Sequence, residues 1–172
     1  MNLSNYCAEL SRWLPTKYHP EVYFVGGVLL NRQITDVDIF VYGKHASAIE
    51  MKLYGKFFSD NKELEVLTSL STDDFEDSKG NNLTEYILTQ GLTKNISSFG
   101  FNRLTVEGLF LSKLAAFEQR GDETLKDLAD IEFLLKRFEN KIPETLITIM
   151  NDFDLHETYL RIEEYGQRFD YY

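Results

Sequence analysis

The sequence predicts an α/β fold with a small mixed sheet in its first half, followed by a C-terminal helical bundle. Two short apolar runs, Val22–Val25 and Asp36–Val41, are rich in β-branched and aromatic residues, as is typical of strands. Later in the chain, the apolar residues recur at helical spacing instead. We therefore expect an α/β core in residues 1–104 and a helical subdomain in residues 105–172 that packs on it.

The first element is an amphipathic helix over residues 2–14, which ends at Pro15. We expect this helix to pack on the sheet. Residues 15–20 then form a loop, and the first strand starts at Glu21. A short helix over residues 28–31 leads towards the second strand.

The second and third strands are joined by a helix, which we predict over residues 44–60. The third strand covers residues 63–68, where Leu64 and Val66 alternate with polar residues. Strands that run in parallel need a crossover connection, so a strand, helix, strand unit is the natural interpretation.

The remaining first half is less regular. Residues 70–82 are polar and crowded with acidic residues, which favours a solvated loop whose carboxylates are loop charges and not a metal site. Residues 83–91 are predicted to form a helix. Residues 96–104 form either a further strand or an irregular link.

The helical half has four predicted helices. Amphipathic helices cover residues 105–121 and 123–138, the first ending at Gly121. Two more cover residues 142–152, where Pro143 stands at a helix-start position, and residues 155–169.

Composition limits the range of functions. The net charge of −10 counts against a large RNA substrate, because affinity for a phosphate backbone comes mainly from Lys and Arg. The single cysteine, Cys7, excludes an internal disulfide and fits a core position in the first helix. No apolar run is long enough to span a bilayer, so we expect a cytoplasmic protein with no membrane partner.

The residues that carry chemistry lie around the first two strands. Gly26 and Gly27 allow a tight turn whose backbone N–H groups can approach a phosphate. Asp36 and Asp38 share one face of the second strand, because side chains alternate along a strand. Two adjacent carboxylates repel each other unless a cation lies between them, and Mg²⁺ binds carboxylate oxygens together with substrate phosphates. The alternative is a turn followed by the solvent face of an edge strand.

The order Gly26-Gly27, spacer, Asp36-x-Asp38 resembles the signature of the polymerase β nucleotidyltransferase superfamily. The segment GGVLLNRQITDVDIFV is most similar to the CCA-adding enzymes and to the small toxin-type nucleotidyltransferases of the abortive-infection (AbiEii) group, although the Arg-Asp that follows the glycines in CCA-adding enzymes is absent. The resemblance implies that the glycines hold a triphosphate and that the two aspartates bind two metal ions.

The resemblance also implies a third carboxylate on a neighbouring strand. Glu65 is our candidate and Glu63 the second choice, because both lie on the polar face of the third strand. The alternative is that both glutamates simply form that polar face. Arg32 is a further candidate for phosphate contact, with a solvent-exposed arginine as the alternative.

A second stretch, LSKLAAFEQRGDETLKDLADIEFLL, resembles a segment of the toxin-type enzymes, and the matched residues are Lys113, Arg120, Lys126, Asp127 and Asp130. The resemblance implies nucleotide-binding roles for Lys113, Arg120, Asp127 and Asp130. The flexible stem of Lys113 can pass along apolar helix surface and deliver its charge to phosphates. Asp127 and Asp130 share a helix face, so either can orient Lys113 or Arg120. The alternative is a surface ion-pair network between two helices.

Together these observations predict a Mg²⁺- or Mn²⁺-dependent nucleotidyltransferase that moves a nucleoside monophosphate from an NTP to an acceptor hydroxyl. Asp36, Asp38 and Glu65 would bind metal, and Lys113 would hold the triphosphate with the glycines. The resemblance implies a tRNA 3′ end as acceptor, whereas the acidic net charge favours a small molecule or a protein. A third alternative is a non-catalytic, nucleotidyltransferase-like binding protein, for instance one with an antitoxin partner.

Overall fold

In a computed structural model, the chain forms two compact units. The structure describes residues 2–30, 34–68, 75–121, 125–139 and 141–169. The first unit lies in the ranges Met1–Asp73 and Ile87–Thr105, and the second in the ranges Asp74–Tyr86 and Val106–Tyr172. The second unit thus includes residues 74–86, which the sequence alone places with the α/β core. The predicted fold class is confirmed, because a mixed sheet is followed by a series of helices.

The first unit contains a five-stranded mixed sheet. Its strands are β1 (Val22–Phe24), β2 (Asp36–Val41), β3 (Glu63–Thr68), β4 (Thr93–Ile96) and β5 (Phe101–Leu104). Their order across the sheet is β3-β2-β1-β5-β4. β2 pairs in parallel with β3, and β1 with β5, whereas the β1–β2 and β4–β5 pairs are antiparallel. The predicted crossover between β2 and β3 is therefore confirmed.

Helices α1 (Leu3–Trp13) and α2 (Ala46–Leu53) belong to this unit. The side chain of Asn2 caps α1 by accepting a hydrogen bond from the Asn5 N–H at 3.1 Å. Two short 3₁₀ helices cover Thr16–Glu21, where the sequence predicts a loop, and Gly26–Leu30. Of the predicted helix over residues 28–31, residue 31 lies outside the described residues.

The core of the first unit joins α1 and α2 to the sheet. Its buried side chains include Leu10 from α1, Ile49 and Leu53 from α2, and Val37 and Ile39 from β2. Cys7 belongs to the same cluster, as predicted, and burial raises the pKa of its thiol to about 12 although a backbone hydrogen bond acts in the opposite direction. This cysteine is therefore a core residue and not a nucleophile.

One element prediction in this unit is wrong, and a second is incomplete. The helix predicted over residues 44–60 ends at Leu53, because Gly55 adopts a left-handed conformation (φ +69°) just after the cap residue Tyr54. The stretch predicted as one strand or an irregular link contains the end of β4 and all of β5. These strands form a hairpin whose turn uses Gly100 at φ +75°.

Helix α3 (Leu83–Thr89) confirms a predicted helix, and it contains the position where the chain passes from the second unit back to the first. The part of the predicted acidic loop that the structure describes, from residue 75, is closed by hydrogen bonds. Asp77 accepts from the backbone N–H groups of Lys79 and Asn81. This carboxylate caps its own loop, while residues 70–74 of the prediction lie outside the described residues.

The second unit consists mainly of α4 (Val106–Arg120), α5 (Leu125–Arg137), α6 (Glu144–Asp152) and α7 (His156–Phe169). These helices confirm the four predicted ones, although residues 123 and 124 of the prediction lie outside the described residues. Phe110 packs edge-on against Phe138 and Tyr159, with ring centroids 5.6 and 6.3 Å apart. In the described part of the chain, no helix has the length and apolar character that crossing a membrane requires.

Candidate functional site

Three predicted metal ligands come together in the first unit. Asp36, Asp38 and Glu65 each offer a carboxylate oxygen, and these oxygens all lie within 4.8 Å of one another. The parallel register pairs Asp38 with Glu65 and Asp36 with Glu63. Because the oxygen cluster contains Glu65 and not Glu63, the register distinguishes between the two glutamates that the alternating sequence pattern leaves open.

The alternation of β2 explains why the aspartates face away from the core. Val37 lies between the two aspartates in the sequence and Ile39 follows Asp38. Both are fully buried on the opposite face of the strand. Asp36 and Asp38 are half-buried, and Glu65 is exposed. The Thr35 hydroxyl donates a hydrogen bond to Asp36 Oδ1 at 3.1 Å. The acidic face is therefore open to solvent on the side of β3.

A network of polar contacts fixes the start of β3. Glu9 on α1 accepts hydrogen bonds from the backbone N–H and the hydroxyl of Ser59, at 2.7 and 2.9 Å. Asp60 accepts from the Tyr6 hydroxyl at 2.9 Å and from Lys62 Nζ at 2.8 Å. Although desolvation acts to raise the pKa of Asp60, these hydrogen bonds hold it below its usual value. The turn before β3 is thus tied to α1, which fixes the register that places Glu65.

Gly26, the first residue of the glycine pair, lies directly against the carboxylate cluster. Gly26 has a φ of +69°, and a Cβ built on it would lie 2.0 Å from Oδ2 of Asp38. A Cβ on Gly27 would lie 2.9 Å from a methyl group of Ile34. Only glycine at position 26 allows the backbone to come this close to the Asp38 carboxylate. The sequence pattern places these residues in one motif, but it does not show this contact.

The donor set fits a divalent metal ion. All three residues offer carboxylate oxygens, which are the ligands that Mg²⁺ and Mn²⁺ prefer. At a separation of 4.8 Å or less, two unit charges such as those of Asp36 and Asp38 repel by at least about 3.5 kcal/mol at an effective dielectric constant of about 20. A divalent cation between the carboxylates would attract both and so outweigh this repulsion.

Four of the five matched residues of the second motif come together in the second unit, in what we call the Lys113 group, whereas Lys126 is exposed. Lys113 Nζ on α4 lies 2.8 Å from Asp130 Oδ2 and 3.5 Å from Asp127 Oδ1 on α5. Arg120 donates a hydrogen bond to Asp127 Oδ2 at 3.0 Å. Lys113 and Arg120 are seven residues apart, so they project from the same face of α4.

The Lys113 group is not a surface ion-pair network. Asp127 and Asp130 are fully buried, and Lys113 is 9% exposed, whereas the Arg120 side chain is 59% exposed. Buried carboxylates need charged partners, since desolvation makes an unpaired charge costly. The group therefore links α4 to α5, and Arg120 presents part of its charge to solvent.

Of the predicted site residues, Arg32 lies outside the described residues. A residue that the sequence interpretation assigned to no site, Phe57, is exposed and pairs through its backbone with Glu63 beside the carboxylate cluster. In the sequence, Gly55 could have indicated this position, because it ends α2 and so removes Phe57 from the helical pattern.

Comparisons of the chain with protein-family models, with curated proteins and with solved structures find no match.

Proposed function

We propose that the protein is a metal-dependent nucleotidyltransferase. The observation that carries this proposal is the cluster of Asp36, Asp38 and Glu65 on two parallel strands, with the Gly26 backbone in contact with Asp38. A carboxylate cluster supports metal binding, and adjacent glycine N–H groups support phosphate binding. Together they favour phosphoryl chemistry over a solvated polar strand face.

In the proposed reaction, the acceptor hydroxyl oxygen forms a bond to the α-phosphorus of an NTP. The bond from that phosphorus to the oxygen bridging the β-phosphate breaks, and pyrophosphate leaves with the bond electrons. Asp36, Asp38 and Glu65 would hold Mg²⁺ or Mn²⁺, which when bound supplies charge neutralisation and a lower pKa for the acceptor hydroxyl. Glu65, the most exposed of the three carboxylates, accepts the proton that the hydroxyl loses.

The chain's own backbone would position the donor. The Gly26 backbone lies beside the Asp38 carboxylate, and we assign the N–H groups of Gly26 and Gly27 to binding of the triphosphate. The Lys113 group lies in the second unit, and its proposed role in nucleotide binding rests on the resemblance of its sequence motif. Arg120 is the member of this group best able to meet a phosphate, because its side chain is 59% exposed.

We propose an RNA 3′ end as acceptor, with a small-molecule or protein hydroxyl as the second candidate because of the net charge of −10. A tRNA is one such RNA. The reaction would take place in the cytoplasm, where NTPs are present. A non-catalytic binding protein with an antitoxin partner remains the competing hypothesis, and it requires no metal at the carboxylate cluster.

The proposal is tested by metal binding and pyrophosphate release with three matched variants. Asp38→Asn and Glu65→Gln each remove one charge from the cluster, and both are expected to weaken Mn²⁺ binding by at least about tenfold. Pyrophosphate release from NTP should fall with them. Glu63→Gln removes a charge from the same face of β3 but outside the cluster, so it should retain both properties. Electron paramagnetic resonance of free Mn²⁺ measures the binding.

Two results would contradict this assignment. If Glu63→Gln were as damaging as Glu65→Gln, general negative charge and not a defined ligand set would attract the metal. If the folded protein bound no Mn²⁺ and released no pyrophosphate, the binding-protein hypothesis would replace the enzyme.

A further inference from the structure

An exposed aromatic side chain stands beside the carboxylate cluster. Phe57 is 57% exposed, and it forms an isolated antiparallel bridge with Glu63 at the start of β3. Two backbone hydrogen bonds flank the bridge, from Phe58 N–H to the Lys62 carbonyl at 3.0 Å and from Leu64 N–H to the Lys56 carbonyl at 3.2 Å. This pattern marks a non-hydrogen-bonded pair, in which the two side chains stand close together.

The pairing places Phe57 on the same face of the sheet as the carboxylates. Residues directly opposite each other in an antiparallel pair share a face, so Phe57 lies on the side of Glu63. The next residues along, Phe58 and Leu64, are 2% and 4% exposed and belong to the core on the opposite face. Since Glu63 pairs with Asp36 in the β2–β3 register, Phe57 is about two strand spacings, roughly 10 Å, from Asp36.

The order of elements across the sheet separates a donor side from an acceptor side. The glycine pair follows β1, which lies on one side of β2, whereas Glu65 and Phe57 lie on the other side. In phosphoryl transfer, the entering and leaving oxygens are roughly in line on opposite sides of phosphorus. If the leaving pyrophosphate is held at the glycines, the acceptor hydroxyl must approach from the opposite side of β2, where Glu65 and Phe57 lie.

The exposed ring of Phe57 has the chemistry of a stacking surface for a nucleobase. Aromatic rings that stack on bases are a usual means of binding single strands. The nearby lysines are exposed but lie towards the other face of the sheet, because Lys52 is on α2, which packs on the core, and Lys56 shares the side of Phe58 by alternation. Binding at the face of Phe57 therefore rests on stacking and not on a basic patch.

We propose that Phe57 stacks on the terminal base of a single-stranded RNA 3′ end. This inference rests on the proposed nucleotidyl transfer and names its acceptor and the side from which the acceptor enters. Phe57 is the diagonal neighbour of Glu65 across the antiparallel pair, a separation of about 7–8 Å that one nucleoside can span. The surrounding face is acidic, so this binding depends on stacking and on a divalent cation that the carboxylates would hold.

The test uses a short single-stranded RNA with 2-aminopurine as its 3′-terminal base, whose fluorescence is quenched by stacking. Binding is measured with Mg²⁺ and without NTP, so that no transfer occurs. Phe57→Ala is expected to bind this RNA about tenfold more weakly and to lose the quenching. Phe57→Tyr retains a stacking ring and should restore both. Met51→Ala removes an even more exposed apolar side chain, 82% exposed on α2, and should behave as the unchanged protein.

The outcomes of this test separate the inference from the proposed function. Equal RNA binding and quenching by Phe57→Ala and the unchanged protein would overturn the stacking role, even if pyrophosphate release depends on Asp38. The stacking role would also be overturned if the chain bound no RNA and instead transferred label to a protein acceptor in a way that requires Phe57. RNA binding that requires Phe57, in a protein that releases no pyrophosphate, would support the stacking surface and remove the enzyme assignment.

Discussion

Gly26→Ala is expected to weaken Mn²⁺ binding at the carboxylate cluster by at least about tenfold. The added Cβ would lie 2.0 Å from Asp38 Oδ2, which is far inside van der Waals contact, so the Asp38 carboxylate must move away from its two partners. The residue also has to keep a φ of +69°, and this left-handed conformation costs about 1–2 kcal/mol for an alanine. Mn²⁺ titration and urea unfolding measure the two effects.

Gly55→Ala is the matched control for this variant. Gly55 has the same φ of +69°, but a Cβ on it meets nothing within 4 Å. Both variants should therefore lose a similar amount of stability from backbone strain, and only Gly26→Ala should lose metal binding. If the two variants bound Mn²⁺ equally well, contact between Gly26 and Asp38 would have no part in the site.

Lys113→Met is expected to lower the free energy of unfolding by about 3–5 kcal/mol, because it leaves the buried carboxylates of the Lys113 group without their buried cation. Asp130 lies 2.8 Å from Lys113 Nζ, and neither Asp127 nor Asp130 is exposed. Combining Lys113→Met with Asp130→Leu removes both charges and should recover much of the loss. Urea unfolding followed by circular dichroism measures both variants.

Lys126→Met serves as the control, because Lys126 is an exposed lysine on α5. Its effect should stay within about 0.5 kcal/mol. A Lys113→Met variant as stable as this control would show that the ion pairs contribute little to the second unit. In that case, the unchanged free energy of unfolding would favour ligand binding as the role of Lys113.

The sequence predicted the fold well where a local pattern determines the structure. Alternation identified β2 and β3, and the end of α4 at Gly121 follows from a glycine at a left-handed position. The helix predicted over residues 44–60 was too long, because the apolar residues Phe57 and Phe58 fit helical spacing although Gly55 ends the helix. Gly55 signals the end of the helix, and a short turn with Asn61 in a left-handed conformation (φ 60°) then pairs Phe57 with Glu63.

The candidate site was predictable to a similar extent. Alternation places Asp36 and Asp38 on one face, and it places Glu63 and Glu65 on another strand face without distinguishing them. Strand register makes that choice, and register depends on contacts such as that between Glu9 and Ser59, which are 50 residues apart. The position of Phe57 beside Glu63, by contrast, depends on a local turn that joins the two residues.

Label transfer from NTP tests the central claim most directly. The protein and its Asp38→Asn variant are incubated with each α-labelled NTP, with Mg²⁺ or Mn²⁺ and total RNA, and the products are separated on a denaturing gel. We predict label in RNA with Asp38 intact and at least about 100-fold less with Asp38→Asn, a loss of about 2.7 kcal/mol of transition-state stabilisation. No label in RNA, protein or small molecules from the folded, metal-supplied protein would contradict nucleotidyl transfer, as would equal labelling by the variant.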